Sequence, residues 1–531
     1  MRISFIVVAL LLLGSSVHAQ VIGPIDSNFD SFRQNGVSTI ESTGDTLWIS
    51  PALNTYVDGF TDSWIAPEGL DSIYNGVGRV FSLDVNGDTV VAGLGYTAST
   101  AVGNQPAGYG YYLSTDGGDS WQFSDFYLDR YVDEDTTFIY GGTEYIRERV
   151  IVPEQSPPYS VAFKGDVIFS ANWASGLLRS TDFGASWERI VLPPFGTSLL
   201  TPERNDYEWF DCIETSNGVC TQSQNVYNSV QDDNLKGFAV FIDSKDRVWF
   251  GSAGGINISE NALSAPTDSV IWKNINFKNE ADGLLSRWII EIDEDPTTGR
   301  VWMTNWIAES SSSIYAGLDN YGIVFTEDGG LTFGQRLIGE QIFGISFKDN
   351  YVFAAGANGL FISRDGGDSW YKSPRIVSEN NILKPSVQFQ SVAATNDKIW
   401  VATTDGIISS DNYGDTWQIH RVNFPLSGGN VYDDEAATVS SYAYPNPYSP
   451  EQHDIVRIRF EVKDQNNVRV RIFDFGMNLV RDIENGSRSP GNYEAIWDGL
   501  DGRGRRVANG PYFYIIEMGS RKVTGKILLI E

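Results

Sequence analysis

Nine acidic residues fall in two long polar segments of the chain and could act in pairs on a glycosidic bond. They are Asp133, Glu134, Asp135, Glu144, Glu148, Asp206, Glu208, Asp211 and Glu214. Two carboxyl groups held about 5 to 10 Å apart can serve as acid and base, or as acid and nucleophile, on a sugar. In segments so rich in acids a close pair arises by chance, so this pattern alone does not favour catalysis.

Two Asn-Trp pairs suggest the binding of a sugar ring. Asn172-Trp173 and Asn305-Trp306 each come directly after a predicted strand and before a loop. An exposed indole offers a flat apolar face, and the neighbouring amide offers hydrogen bonds. The alternative is that each tryptophan packs between neighbouring repeats. Weaker candidates of the same type are Tyr96, Tyr109, Tyr315 and Tyr321.

Metal and histidine-dependent chemistry have little support. Cys212 and Cys220 are the two cysteines of the chain, and His420 and His453 are remote from them in sequence. In an exported chain we expect the two cysteines to form a disulfide that closes a surface loop. We predict no metal site and no cofactor, and the clustered carboxylates leave open only a structural Ca²⁺.

A turn motif with Asp, Gly and an aromatic residue returns along the chain. Four copies are Ser114 to Trp121, Ser180 to Trp187, Thr326 to Phe333 and Ser363 to Trp370. A fifth, Ser409 to Trp417, carries one extra residue between Asp411 and Gly414. Each copy joins two apolar strands, so the Asp is expected to bond the turn's own amides while Gly supplies a positive φ. We assign this structural role to Asp116, Asp182, Asp328, Asp365 and Asp411.

The motif resembles the Asp-box, or BNR repeat, of sialidase-like β-propellers. The resemblance implies four-stranded blades and places these aspartates far from the ligand face. Reading the chain by this template gives seven passages, at about 36–68, 78–127, 157–193, 237–277, 286–339, 342–374 and 387–423. We therefore predict an all-β fold with a seven-bladed propeller, and six or eight blades are the alternatives.

From Ser441 the composition changes. Residues 431–450 read as a Pro-rich linker, and strands with a period of two follow. Val468 to Asp474, Gly491 to Gly499 and Val507 to Tyr514 resemble the Ig-like domain of the flagellar hook-capping protein FlgD and the C-terminal sorting domains of type IX secretion substrates. We predict a small β-sandwich over 451–531. The resemblance implies that outer-membrane secretion machinery reads its terminal strands, and leaves open whether the domain is cleaved.

The N-terminus indicates an exported protein, and the net charge disfavours two classes of partner. Residues 1–19 combine Arg2, an apolar run and a small-residue site, as in a secretory signal peptide, which leaves 20–430 for the propeller. No other stretch is long and apolar enough to span a bilayer. The net charge is −30, and residues outside 451–531 hold 25 Lys and Arg against 56 Asp and Glu. Such a surface repels nucleic acid and anionic membranes.

We predict a monomeric, secreted or cell-surface protein, exported across a bacterial outer membrane, that binds an extracellular glycan or protein without catalysis. One alternative is a glycoside hydrolase or lyase that uses acids of the long connections, and another is an envelope assembly scaffold. A sialidase would also need an arginine cluster and an early Arg-Ile-Pro motif, which the chain lacks. No spacing requires such a cluster among Arg147, Arg149, Arg204 and Arg287.

Overall fold

The computed structural model describes residues 35–51, 53–57, 67, 70, 79–130, 132, 136–216, 219–278, 280–307, 317–378, 382–421 and 439–531. The predicted signal peptide, Tyr315 and the acids Asp133, Glu134 and Asp135 lie outside these residues. The chain divides into two compact units. The first comprises the described residues up to Ser373 with 388–404 and 410–414, and the second comprises 374–387, 405–409 and 415–531.

Seven antiparallel sheets of three to five strands follow one another along the described part of the chain before residue 421. The first sheet consists of β1 (Ile40–Thr43), β2 (Thr46–Ile49) and β3 (Asn54–Val57). The second consists of β4 (Arg79–Asn86), β5 (Thr89–Thr100), β6 (Gly103–Ser114) and β7 (Gln122–Asp125). The hairpin β8 (Thr137–Tyr140) and β9 (Thr143–Ile146) comes next, and the third sheet follows with β10 (Pro158–Lys164), β11 (Val167–Asn172), β12 (Gly176–Ser180) and β13 (Glu188–Arg189). The fourth is formed by β14 (Leu199–Leu200) and, after the hairpin β15 (Phe210–Ser216) and β16 (Val219–Asn225), by β17 (Gly237–Ile242), β18 (Val248–Ser252), β19 (Gly255–Ser259) and β20 (Trp272–Ile275).

The last three of these sheets have four strands each, in chain order. They are β21 (Trp288–Glu294), β22 (Val301–Trp306), β23 (Gly322–Thr326) and β24 (Gly334–Arg336); β25 (Ile342–Lys348), β26 (Tyr351–Gly356), β27 (Gly359–Ser363) and β28 (Tyr371–Lys372); and β29 (Phe389–Ala394), β30 (Ile399–Thr403), β31 (Gly406–Ser410) and β32 (Gln418–His420). Two short 3-10 helices, Asp233–Leu235 and Thr267–Ser269, lie in the fourth repeat. The seven sheets match the seven predicted passages.

The inner strands close a ring, which makes the seven sheets a seven-bladed β-propeller. Strands β1, β4, β10, β17, β21, β25 and β29 each contact the next, and β29 contacts β1. Hydrogen bonds seal the closure, because the Val37 N–H donates to the Thr403 carbonyl over 2.9 Å and the Ser42 hydroxyl donates to the Ala394 carbonyl over 2.8 Å. The prediction of an all-β propeller is confirmed.

The middle strands of the blades are apolar on both faces because neighbouring blades cover them. All residues of β18, with the sequence Val-Trp-Phe-Gly-Ser, are buried, and so are all residues of β27, with Gly-Leu-Phe-Ile-Ser. A short continuous apolar run is the pattern expected for a strand buried on both sides. The core therefore lies between the blades.

The repeated turns have the bonding that their residues predict. The Ser114 hydroxyl donates to Asp116 over 2.8 Å and accepts the Gly118 N–H at 3.0 Å, while Asp116 accepts the Ser120 N–H at 2.9 Å. The same bonds recur around Asp182, Asp328 and Asp365. The bond from the Ser369 hydroxyl is the main reason that the pKa of Asp365 falls to about 2.

The fifth turn corrects one predicted role. The Ser410 hydroxyl donates to Asn412 over 2.9 Å and accepts the Gly414 N–H at 2.8 Å, whereas Asp411 is exposed. Asn412 therefore takes the position that aspartate holds in the other copies, and the turn contains no extra residue. The assignment of Asp411 was wrong because two adjacent serines allowed the motif to be aligned one residue too early.

The two cysteines form the predicted disulfide. Cys212 and Cys220 lie on the two strands of the hairpin β15–β16, with an S–S distance of 2.07 Å and a Cα–Cα distance of 5.8 Å. This hairpin lies between β14 and β17 of the fourth sheet, in the long connection where the sequence places a surface loop.

The second unit contains a β-sandwich of a three-stranded and a four-stranded sheet. The three-stranded sheet has the strand order β33 (Ser441–Tyr444), β34 (Val456–Val462), β37 (Gly491–Trp497). The four-stranded sheet has the strand order β36 (Leu479–Arg488), β35 (Asn466–Phe473), β38 (Gly510–Met518), β39 (Arg521–Leu529). The predicted linker is too long at its C-terminal end, because β33 pairs with β34 and Tyr448 is fully buried in the sandwich core. Proline-rich sequence concealed an edge strand, which tolerates prolines just beyond its end.

Candidate functional site

Six of the seven inner strands in the described ring carry a β-bulge close to their start. The register shifts leave one extra residue in each strand, and these residues are Phe81, Tyr159, Phe238, Ile290, Phe343 and Gln390. A bulge redirects a side chain and increases the local twist. Because each bulge lies at the same end of its strand, the six side chains mark one end of the ring.

Aromatic side chains line this end across five consecutive blades. We call Phe81, Tyr159, Phe238, Trp288 and Phe343 the mouth aromatics. Ring centroids lie 6.3 Å apart for Phe81 and Tyr159, 6.1 Å for Tyr159 and Phe238, and 5.3 Å for Phe238 and Trp288. Phe238 and Trp288 are buried, whereas Phe81, Tyr159 and Phe343 are half-buried. The cluster thus combines a packed base with accessible ring faces.

Trp173 belongs to this cluster and retains exposed surface. Its ring centroid lies 5.2 Å from that of Phe238 and 6.1 Å from that of Trp288. The Lys236 ammonium lies 5.4 Å from the indole centroid, close enough for a cation–π interaction. Asn172 is fully buried and donates to the Ser170 and Gly176 carbonyls. Of this Asn-Trp pair, only the indole is accessible to a ligand.

Trp306 does not offer an exposed face. Its side chain is 2% exposed and its indole N–H donates to the Ile342 carbonyl over 2.7 Å. Asn305 is fully buried and accepts the Leu285 N–H at 2.6 Å. The expectation of an exposed indole was therefore wrong here, because Phe343 of the next blade packs edge-on against Trp306 at 5.4 Å.

The tyrosine candidates are divided between two places. Tyr96 and Tyr109 pack edge-on at 5.8 Å on the long hairpin of β5 and β6, where both are half-buried. Tyr321 packs against the cluster that contains Phe238, Trp288 and Trp306. A ligand-binding role for Tyr96 stays a prediction, as it does for Trp173.

Cationic groups flank the mouth aromatics. The Arg79 guanidinium lies 4.7 Å from the Phe81 ring centroid. Lys236 and Arg287 both pair with Asp233, at 2.7 Å and 3.2 Å. Lys236 is itself buried, so the polar groups left at the edge of this apolar surface are the half-buried Arg79, Asp233 and Arg287. Such an edge is the arrangement found in sites for polar ligands with apolar faces.

The arginines named as a conceivable cluster are not brought together. Arg147 lies 3.7 Å from Asp129, Arg204 pairs with Asp206 at 2.9 Å, and Arg149 donates to the Val132 carbonyl. Each has its own partner in the long connections, whereas Arg287 lies beside the mouth aromatics. The structure gives no clamp for a substrate carboxylate among these four.

The described acids of the long connections also have separate surroundings. Asp211 is buried and accepts hydrogen bonds from Gln224 at 2.6 Å and Asn228 at 3.0 Å. The others that the structure describes are exposed, and they are Glu144, Glu148, Asp206, Glu208 and Glu214. An exposed carboxylate in water lacks the desolvated setting that tunes a catalytic acid.

Four other carboxyl groups on inner strands have raised pKa values, and the sequence analysis missed them. We call Glu41 of β1, Asp84 of β4, and Glu291 and Asp293 of β21 the channel acids. Burial raises the pKa of Glu291 to about 8, that of Asp293 to about 7 and that of Asp84 to about 6. Burial also raises the pKa of Glu41, with further contributions from the other three channel acids. The four therefore share one electrostatic environment inside the ring.

A cue to the channel acids was present in the sequence. Glu291 and Asp293 alternate with the apolar Ile290 and Ile292, so they share one face of the strand. Within the described residues no group of three or more His, Cys, Asp or Glu side chains is arranged to hold a metal ion. No helix in the described ranges is long and apolar enough to cross a membrane.

Comparison with known proteins identifies the second unit's sandwich by sequence. Residues 451–520 match the family model of the FlgD Ig-like domain. A search of curated proteins gives no match.

Solved structures are similar to this chain at low sequence identity. One is PorZ, a bacterial surface component of the type IX secretion system of Porphyromonas gingivalis, with 14% identity, a TM-score of 0.42, and coverage of 94% of this chain and 66% of that one. This chain thus spans just under two thirds of that protein's length. A GH74 xyloglucanase from Xanthomonas campestris has 12% identity and a TM-score of 0.45, covering 92% of this chain and 73% of that chain. A GH74 enzyme from Niastella koreensis has 15% identity and a TM-score of 0.45, covering 94% and 73%.

Proposed function

We propose that this protein is an exported, non-catalytic β-propeller that binds an extracellular glycan at the mouth aromatics. The carrying observation is the half-exposed indole of Trp173 between Phe238 and Trp288, with Lys236 beside it. An aromatic face next to hydrogen-bonding groups suits a sugar ring, which has an apolar face and hydroxyls at its edge. The ordered contacts below Trp173 hold the indole in place before a ligand arrives, which lowers the entropic cost of binding.

The route of export is part of the proposal. The resemblance of 1–19 to a secretory signal peptide and of the terminal sandwich to type IX sorting domains supports passage through the periplasm and then the outer membrane. The Asp-box character of the repeated turns is consistent with a propeller whose turns are structural. The mature protein would then meet its glycan at the cell surface or beyond.

A glycoside hydrolase is the second candidate, and one observation favours it. The pKa values of Glu291 and Asp293 lie near neutrality, as a general acid in a buried site requires. These two groups, however, lie two residues apart on one strand rather than on opposite sides of a sugar. We therefore prefer binding without hydrolysis.

A glycan array followed by a reducing-sugar assay on the purified mature chain tests the proposal. We expect retention of at least one glycan class and no release of reducing ends from it. Hydrolysis that disappears in Glu291→Gln would replace the proposal with the enzyme. Binding of no glycan, together with capture of one defined envelope protein, would favour the assembly scaffold.

A further inference from the structure

Four buried charges of alternating sign lie in contact within the second unit. Arg421 is 3.0 Å from Asp405 and 2.9 Å from Glu494, and Arg457 is 3.0 Å from Glu494 and also pairs with Asp405. Their side chains are 3%, 9%, 0% and 4% exposed for Arg421, Asp405, Glu494 and Arg457. We call these four residues the charge cluster.

The charge cluster joins parts of the chain that are separated in sequence. Arg457 and Glu494 lie on the neighbouring strands β34 and β37 of the sandwich. Asp405 directly precedes β31, and Arg421 directly follows β32. Residues 422–438, which connect the two parts covalently, lie outside the described residues. Two ion pairs, Asp405–Arg457 and Arg421–Glu494, therefore join residues that precede this connection to residues that follow it.

Further hydrogen bonds satisfy the cluster. The Tyr444 hydroxyl donates to Glu494, the Arg457 guanidinium donates to the Ile382 carbonyl, and the Lys384 N–H donates to Asp405 over 2.7 Å. Buried ions need such additional partners, because ion pairing alone rarely offsets the loss of water. The two positive and two negative charges also balance, so no net charge is buried.

The electrostatic effects on the members are mutual. Although burial opposes it, Asp405 and Glu494 raise the pKa of Arg421 above its usual range. Burial likewise opposes ionisation of Glu494, but Arg421 and Arg457 hold its pKa below the usual value. Loss of any one member would leave the others buried without compensation, which is strongly destabilising.

We infer that the charge cluster is an intramolecular docking surface. Within the second unit it keeps the sandwich bound to residues 405–409 and 415–421 without the covalent connection through 422–438. A chain cut in that connection would remain a two-fragment complex. This inference is independent of the proposed glycan site. Its consequence is that proteolysis between the two parts would not by itself release the C-terminal domain.

A cleavable full-length chain tests the inference directly. A specific protease sequence is inserted between residues 430 and 431, the purified chain is cut, and the products are analysed by gel filtration under native conditions. We expect both fragments to elute together at the position of the uncut chain. Separate elution of two folded fragments would overturn the inference.

Charge-neutral variants test whether the charge cluster holds the fragments together. In the cut chain, Glu494→Gln should raise the dissociation constant of the two fragments at least about 100-fold. The matched control Asp482→Asn removes a carboxylate that pairs with Arg469 on the exposed face of the same sandwich, and should change it by less than about threefold.

The uncut Glu494→Gln chain is examined first by near-ultraviolet circular dichroism. If it does not fold, Arg421→Gln removes a charge from the other side of the cluster, and the same increase is expected. An unchanged dissociation constant in a folded variant, or an equal increase in Asp482→Asn, would contradict the role of the cluster.

Discussion

Trp173 directly follows β11 and Trp306 ends β22, at equivalent places in two blades, yet the surroundings of the two side chains differ. Trp306 is buried and uses its indole N–H on the Ile342 carbonyl, whereas Trp173 keeps accessible surface beside Lys236. Position in the repeat determines the end of the ring at which an indole lies. Its exposure depends on the neighbouring blade, which supplies Phe343 against Trp306.

The channel acids give a pH dependence opposite to that of most acidic residues. A carboxyl group whose pKa is raised on folding holds its proton in the native state and loses it in the unfolded state. Between pH 4 and 8 the native chain therefore binds more protons, and the free energy of unfolding falls as pH rises. Denaturant unfolding at several pH values should show this fall, which we expect to be on the order of a few kcal/mol in total.

Replacement of one channel acid should reduce that dependence. Glu291→Gln removes the group with the pKa near 8, so its unfolding free energy should decline less between pH 4 and 8 than that of the parent chain. The exposed Glu144→Gln serves as the control and should retain the parent profile. Identical pH profiles for Glu291→Gln and the parent would show that Glu291 ionises normally in the folded chain.

At the scale of the structural element, the fifth turn provides a test of register. Asn412→Ala removes the acceptor for the buried Ser410 hydroxyl and should lower the melting temperature by several degrees. Asp411→Ala alters the exposed neighbour and should leave the melting temperature unchanged within about 1 °C. A lower melting temperature for Asp411→Ala than for Asn412→Ala would show that Asp411, and not Asn412, holds the structural position.

Much of the blade architecture follows from local sequence. The turn residues and the apolar runs of middle strands such as β18 and β27 are local signals, so the seven passages could be placed without a structure. The bulges could not be placed in this way, since a bulge is defined by the register of two strands. A small residue after the bulged one, as in Phe81-Ser82 or Phe343-Gly344, is a cue that recurs in the sequence.

The candidate site was only partly predictable for the same reason. Trp173 could be named from its position after a strand, but Phe238 and Trp288 become its neighbours only when successive blades close the ring. Burial of Trp306 likewise depends on Phe343, which is 37 residues further along the chain. Sequence patterns report one strand at a time, whereas a ligand face is assembled from several.

For the molecule as a whole, the terminal strand allows a sharper test of export than a deletion. Ile527 and Leu529 are buried in the sandwich core, so removing them would damage folding, but Leu528 and Ile530 are 43% and 45% exposed. The double variant Leu528→Ser with Ile530→Ser should therefore fold normally. In the native host we expect it to accumulate in the periplasm, as shown by cell fractionation.

A variant of the propeller serves as the control for the surface-delivery experiment. Ser120→Ala changes an exposed residue of a propeller turn and should reach the cell surface as the parent does. Surface delivery of the Leu528 and Ile530 double variant at the parent level would indicate that these side chains are not part of a sorting signal.

The most direct test of the central claim compares two half-exposed tryptophans at different places in the propeller. Trp173 lies among the mouth aromatics, whereas Trp187 belongs to a repeated turn and stacks on Tyr111 at 4.3 Å. Affinity for the glycan retained on the array is measured by calorimetry for Trp173→Ala and Trp187→Ala. We predict a loss of about 1–3 kcal/mol in binding free energy for Trp173→Ala and none for Trp187→Ala. Equal affinity of the folded Trp173→Ala variant and the parent would contradict a ligand face at the mouth aromatics.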